Sequence, residues 1–255
     1  YRLMAKTREL EEADLSGLRH AVSAGEPLNP PVIQRWKELH GITIHDGYGQ
    51  TENTLLVGNF PGMRVKPGSM GKPSPGCDVR VIDEAGNECP PGEIGDIALR
   101  GRIPALFKEY WEAPEETAAV FRGEYYITGD RAYRDEDGYL WFVGRSDDVI
   151  LSAGYRIGPF EVESTLIEHP AVVESAVVAS PDPDRGSVVK AFVVLGEGYE
   201  PSEELVRELQ EFCKRQTAPY KYPRRIEFVD ELPKTTSGKI RRVELRQREM
   251  AQSRT

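Results

Sequence analysis

The sequence has 255 residues, 39% of them hydrophobic and 29% charged, with a formal net charge of -9. That length carries one large core or two smaller ones, and the acidity excludes a dominant nucleic-acid role, because a phosphate backbone needs a basic footprint. No apolar run approaches a membrane span, and Cys77, Cys89 and Cys213 include no C-x-x-C pair, so no zinc site or disulfide framework is signalled and a reducing, cytoplasmic setting is expected.

Tyr1-Arg2-Leu3-Met4 is neither an initiator methionine nor a signal peptide, and reads as the interior of a longer protein. Arg19 to Ser23 predicts a strand, turning at Ala24-Gly25-Glu26-Pro27. A helix is expected from near Asn29, with Pro30 and Pro31 tolerated in its first turn and Val32, Ile33, Trp36 and Leu39 at helical spacing. Ile42-Thr43-Ile44 predicts the next strand. This strand-helix-strand rhythm suits a parallel α/β sheet whose strand ends carry ligands.

From Gly68 the pattern changes to short strands and turns. Asp78 to Ile82 alternates with period two, Ile94 to Leu99 and Tyr139 to Val143 are further strands, and a small β-barrel or distorted sheet is expected. Beyond Asp147, Pro159 opens a helix through Val162 and Leu166. Ala176-Val177-Val178, Ala191 to Leu195 and Ile226 to Val229 predict strands, and Ser202 caps a helix carrying Leu205, Val206, Leu209 and Phe212. That is an α+β domain of about 100 residues, an ordinary domain size. From Lys214 onward basic residues predominate, either as a solvated helix end and tail or as a surface for a phosphorylated ligand.

Four short motifs punctuate this plan. Tyr48-Gly49-Gln50-Thr51-Glu52 combines a hydroxyl, a glycine that permits close backbone approach and a hard oxygen ligand suited to magnesium. Read alone, it is an ordinary strand-to-helix turn with a capping Thr. Tyr126-Ile127-Thr128-Gly129-Asp130 offers one carboxylate, able to accept from both hydroxyls of a ribose. Gly144-Arg145-Ser146-Asp147 sits where the architecture changes, and its plainer reading is a surface ion pair in a linker. Lys239 closes Pro233-Lys234-Thr235-Thr236-Ser237-Gly238-Lys239, either as one more solvated lysine or as a point charge for a phosphate. A Walker loop is excluded, since Pro233 stands where it needs glycine.

In this order the motifs resemble the adenylate-forming, AMP-binding superfamily, which joins a carboxylic acid to AMP and passes the acyl group to a thiol. Ala24 to Pro30, Lys66 to Pro73 and Gly154 to Pro159 look most like its medium-chain acyl-CoA synthetases. The resemblance implies ATP, Mg2+ and CoA as cofactors or co-substrates, with a carboxylic acid as substrate. It implies an AMP site at Gly25, Glu26, Pro27, Asp46, Gly47, Tyr48, Gly49, Gln50, Thr51, Asp130, Arg145 and Lys239. The implied catalytic candidates are Thr51, Glu52 and Lys239, with Glu52 also the metal ligand. The hinge falls at Asp147, and CoA meets Ala153, Gly154, Tyr155 and Arg156. The Ala153 position is often Ser in acyl-CoA synthetases, so a hydroxyl contact is absent there.

The implied domains are 1–146, the end of the large domain (α/β over 1–67, β-barrel over 68–146), and 147–255, a small mobile α+β domain. The family's glycine-rich phosphate loop has no counterpart in these residues. The expected partner is therefore the missing N-terminal half, without which the chain is expected to be inactive. Homo-oligomer formation is left open by the sequence. Two other classes stay open beside the CoA ligase: an adenylation unit that loads a carrier protein, and a non-catalytic binding module.

Overall fold

The computed structural model describes residues 1–2, 4–236 and 238–252, the last without its side chain. The chain divides into two compact units, Tyr1–Phe142 and Val143–Thr255.

The first unit opens with α1 (Arg8–Glu12), β1 (Ala21–Ser23), α2 (Pro30–His40), β2 (Ile44–Gly49), β3 (Leu55–Gly58) and β4 (Lys72–Pro73). Pro30 and Pro31 pre-set the first turn of α2, and Gly41, in the left-handed region at φ 69°, ends it by donating to the Lys37 carbonyl. Val32, Ile33 and Trp36 bury one face of that helix against Ala21 and Ile44. Strand β1 runs parallel to β2, pairing Ser23 with Asp46. Both expected ligand segments, Gly25–Pro27 and Tyr48–Glu52, therefore leave the carboxyl ends of adjacent parallel strands. The strand expected at 42–44 lies later and reaches Gly49. Thr51 stands in a turn between antiparallel β2 and β3, so the motif is a hairpin and not a strand-to-helix turn.

A second sheet is built from β5 (Asp78–Ile82), β6 (Gly95–Arg100), β7 (Phe121–Arg122), β8 (Tyr125–Arg134) and β9 (Leu140–Arg145), with α3 (Pro114–Ala119) preceding β7. Its order is β5-β6-β8-β7, with β9 also on β8. This corrects the expected β-barrel: the sheet is open. The two-residue β7 ends one side with too few backbone groups to continue a ladder round to β5.

The second unit holds the hairpin β10 (Ile150–Ser152) and β11 (Tyr155–Ile157), then α4 (Pro159–Ile167), β12 (Val172–Asp182), β13 (Gly186–Leu195), α5 (Glu203–Gln216), β14 (Arg225–Phe228) and α6 (Arg242–Gln252). Strand β13 pairs antiparallel with β12 and parallel with β14. Side chains alternate across this sheet. Val177, Ala191 and Val193 pack with Val162, Leu166, Leu205 and Leu209 of α4 and α5, whereas Ala176, Val178 and Phe192 pack with Leu245 of α6. The Ser202 hydroxyl caps α5 by accepting from the Leu205 N–H at 3.1 Å, worth about 1 kcal/mol. Helix α6 was not among the expected elements.

Candidate functional site

In the first unit the motif residues converge on Asp130. The Tyr48 hydroxyl donates to Asp130 Oδ2 at 2.6 Å, and Gln50 Nε2 donates to the same oxygen at 2.9 Å and to the Thr128 carbonyl at 2.9 Å. Gln50 Oε1 in turn accepts from the Tyr126 hydroxyl at 3.0 Å. Burial, then the neighbouring Asp130 carboxylate, push the Tyr48 phenol well above its ordinary pKa. Burial does the same for Tyr126. Both stay protonated donors.

Asp130 reaches this position through an irregularity in β8. Asp96 faces Arg131 and Ala98 faces Ile127, so Thr128, Gly129 and Asp130 stand opposite Ile97 alone. Gly129 takes φ 77°, as such a bulge requires, and the Thr128 hydroxyl secures the bend by donating to the Ile97 carbonyl at 2.9 Å. Bulges of this kind re-aim a side chain, here a carboxylate that is 7% exposed.

Asp46 ties the Gly25–Pro27 turn to β2. Its Oδ2 accepts from the Leu28 N–H at 3.1 Å, and its Oδ1 from the Gly47 N–H at 3.0 Å. Burial pushes its carboxyl up to about 7, against the opposing pull of those N–H donors and the Ser23 hydroxyl. Gly25 takes φ 96°, and Glu26 pairs with Arg2. The two hairpin glycines have a structural cause of their own. A Cβ at Gly49 would lie 2.1 Å from the Thr54 carbonyl oxygen, and one at Gly47 would lie 2.7 Å from Leu55 Cδ1.

Glu52 is half-buried and Thr51 exposed. Glu52 Oε1 accepts from the Tyr110 hydroxyl at 2.9 Å, while its carbonyl accepts from the Phe107 N–H at 2.6 Å. Sequence reasoning missed Tyr110, which no spacing rule connects to Glu52. Among the described residues no group of three or more His, Cys, Asp or Glu side chains could hold a metal. A single carboxylate therefore fits a Mg2+ carried in on phosphates, with water completing its shell, and not an all-protein cage.

In the second unit Arg145 Nε donates to Asp147 Oδ1 at 3.1 Å, and Arg246 Nη2 of α6 donates to Asp147 Oδ2 at 3.1 Å. Burial raises the Asp147 carboxyl, but the hydrogen bond and charge of Arg145, with Arg246, outweigh it and hold the carboxyl below the usual range. Ala153 and Gly154 form the two-residue turn of the β10–β11 hairpin, with φ 48° and 85°. Tyr155 and Arg156 follow on β11, both exposed, and Tyr155 stacks on Tyr220 with ring centroids 4.2 Å apart.

Lys239 is exposed in the loop before α6. Its N–H donates to the Thr235 hydroxyl at 3.0 Å, and its carbonyl accepts from the Thr235 N–H at 2.8 Å. Two hydrogen bonds with Thr235 thus fix the Lys239 backbone, and the residue is exposed. Ser237 of the same motif lies outside the described residues.

Residues 1–111 match the AMP-binding enzyme family, and residues 161–239 match the AMP-binding enzyme C-terminal domain. The chain is 58% identical over 254 residues to mouse (Mus musculus) mitochondrial acyl-coenzyme A synthetase ACSM3, covering 98% of this chain and 44% of that protein. It is 60% identical over 249 residues to the uncharacterized acyl-CoA ligase YtcI of Bacillus subtilis (strain 168), covering 98% and 47%. Among solved structures, the anthranilate CoA ligase AuaEII in complex with anthranoyl-AMP superposes with TM-score 0.91 at 42% identity, over 100% of this chain and 48% of that one. The chain spans about half the length of the curated relatives it matches.

Proposed function

This chain belongs to the AMP-binding, adenylate-forming enzymes, and on that premise we propose that it serves an AMP-forming acyl-CoA ligase. The observation that carries the reading is the convergence of Tyr48 and Gln50 on the buried Asp130 carboxylate, beside the carboxyl ends of two parallel strands. A nucleotide is the ligand such a place suits, since the carboxylate accepts ribose hydroxyls and the strand-end backbone meets the base and phosphates.

In this reading a carboxylate oxygen of the acid attacks the α-phosphorus of ATP and pyrophosphate leaves. The sulfur of CoA then attacks the acyl carbon and AMP leaves. Both first partners are anionic, so the site must cancel charge. Lys239 supplies a mobile point charge for the acid and α-phosphate, Thr51 a hydroxyl for the phosphate, and Arg145 a guanidinium for ribose and phosphate. Glu52 would hold Mg2+, which would supply positive charge for the departing pyrophosphate. The Gly25–Pro27 turn and the Asp46–Gly49 strand end form the wall for adenine. Asp147 is the hinge about which 147–255 turns, exchanging Lys239 for the Ala153–Arg156 hairpin and its CoA.

A medium-chain fatty acid is the proposed acyl donor. Identity of 58% to an acyl-coenzyme A synthetase supports the class of reaction, while likeness to an anthranilate CoA ligase makes aromatic acids the alternative to include. Pyrophosphate release from ATP is the test, measured across short, medium and aromatic acids, with and without CoA, on the chain alone and on the full-length gene product. Acid-dependent release followed by CoA-dependent thioester formation supports the reading. No release for any acid by folded full-length protein sinks it.

A further inference from the structure

We propose that Gln50 is a positioning residue that sets the enzyme's selectivity for ribose over deoxyribose by holding the Asp130 carboxylate. The proposal rests on the nucleotide reading above, but assigns Gln50 a different part: the side chain works through Asp130 and not by touching the nucleotide.

The geometry is specific. The Gln50 amide has two donors and one acceptor oxygen. Its nitrogen donates to Asp130 Oδ2 and to the Thr128 carbonyl, both at 2.9 Å, and its oxygen accepts from the Tyr126 hydroxyl at 3.0 Å. Thr128 and Asp130 flank Gly129, so one amide grips both sides of the bulge. Its orientation is set in turn by Tyr126, which is 2% exposed and lies within the aromatic cluster of Phe107 and Phe121. Both amide N–H groups are thus engaged, and the oxygen accepts from Tyr126 and, at 3.5 Å, from Asn53 Nδ2, so the Gln50 amide has no donor left for a ligand. It determines instead which way the lone pairs of Asp130 point. Leucine at this position would keep the volume and lose every one of these bonds. Asp130 would keep its bond from Tyr48 but lose the Gln50 bond that fixes the orientation of its carboxylate.

The readout that separates this from a merely structural role is the sugar. The KM for ATP and for 2′-deoxy-ATP is measured in acid-dependent pyrophosphate release by the full-length gene product, for the parent, Gln50→Leu and Tyr126→Phe. Losing a charged hydrogen bond that aims Asp130 should raise the ATP KM about tenfold in Gln50→Leu. The KM for 2′-deoxy-ATP should change far less, so the preference for ribose collapses. Tyr126→Phe removes only the shorter of two bonds to the amide oxygen and should show a smaller version of the same loss. An equal rise for both nucleotides, or none for either, overturns the proposal. If Gln50→Leu does not fold, Tyr126→Phe decides: a selective loss supports the positioning role, and an unselective one refutes it. A parent active on neither nucleotide would overturn the proposed function itself, and this inference with it.

Discussion

The Tyr110 hydroxyl donates to Glu52 Oε1 at 2.9 Å, across 58 residues of sequence. Tyr110 packs in turn against Phe107, with ring planes tilted by 49°, and the Phe107 N–H donates to the Glu52 carbonyl. The proposed magnesium ligand is therefore held at both its backbone and its carboxylate by one short segment. Partners that orient a metal ligand typically contribute about 10-fold to 100-fold in metal affinity. Tyr110→Phe should raise the Mg2+ concentration needed for half-maximal pyrophosphate release by about tenfold, with the acid KM unchanged. An unaltered Mg2+ titration would remove Tyr110 from the site.

Asp46 gives a pH dependence with a defined sign. Its carboxyl titrates near 3.8 when unfolded and near 7 when folded, so between those values the folded state keeps a proton the unfolded state has released. The stability this contributes is full below about pH 4 and is lost as pH rises to about 7. Asp46→Asn lacks the titration. The parent's stability minus that of Asp46→Asn, from chemical denaturation, should fall by on the order of 4 kcal/mol across this window. It should then be flat above pH 8. A parallel pair of curves would contradict the assignment.

Ala153 holds φ 48° in a two-residue hairpin turn that favours Asn-Gly. A left-handed alanine costs roughly 1 kcal/mol. Ala153→Gly should recover part of that in a denaturation experiment, and Ala153→Asn should do at least as well because Asn tolerates this region and keeps less freedom when unfolded. Destabilisation by both would mean that the turn is held for a different reason.

Lys190 is buried on β13 and donates to Glu249 of α6 at 2.5 Å and to Glu227 of β14 at 2.7 Å. Glu249 also accepts from the Ser180 hydroxyl at 2.7 Å. Removing one member of a buried ion group leaves the others desolvated, at about 3–5 kcal/mol. Lys190→Ala should destabilise the second unit by that order and expose α6 backbone amides to hydrogen exchange before those of α5. Exchange that stays uniform across both helices would show that the other contacts of α6, Leu245 and the Arg242–Glu163 and Arg246–Asp147 pairs, suffice to dock it.

Legibility in the sequence followed the inward-facing residues. Helices α2, α4 and α5 are readable because Val32, Trp36, Val162, Leu166, Leu205 and Leu209 are apolar at helical spacing. Strand β8 hides because its buried positions are Tyr126, Thr128, Asp130 and Ala132, so the polar residues of the motif break the apolar alternation. Helix α6 hides for the same reason, since its buried face includes Glu249, an acid whose partners Lys190 and Ser180 lie on distant strands. The motif order pointed to the residues proposed to hold the nucleotide, but the partners that orient them, Tyr110 and Tyr126, are set by folding at long range. Gly49 showed the converse: its close approach is to the Thr54 carbonyl, which a motif alone does not reveal.

The most direct measurement is the separation of the two half-reactions in Lys239→Ala, made in the full-length gene product. Acyl-AMP formation is followed by pyrophosphate release, and thioester formation by CoA consumption from supplied acyl-AMP. The account predicts that adenylation falls by at least about a hundredfold, the scale on which a preorganised transition-state charge acts, while thioester formation from acyl-AMP stays within a few-fold of the parent. Equal loss in both half-reactions, or adenylation that survives, would contradict the role given to Lys239 and the two-state use of the second unit.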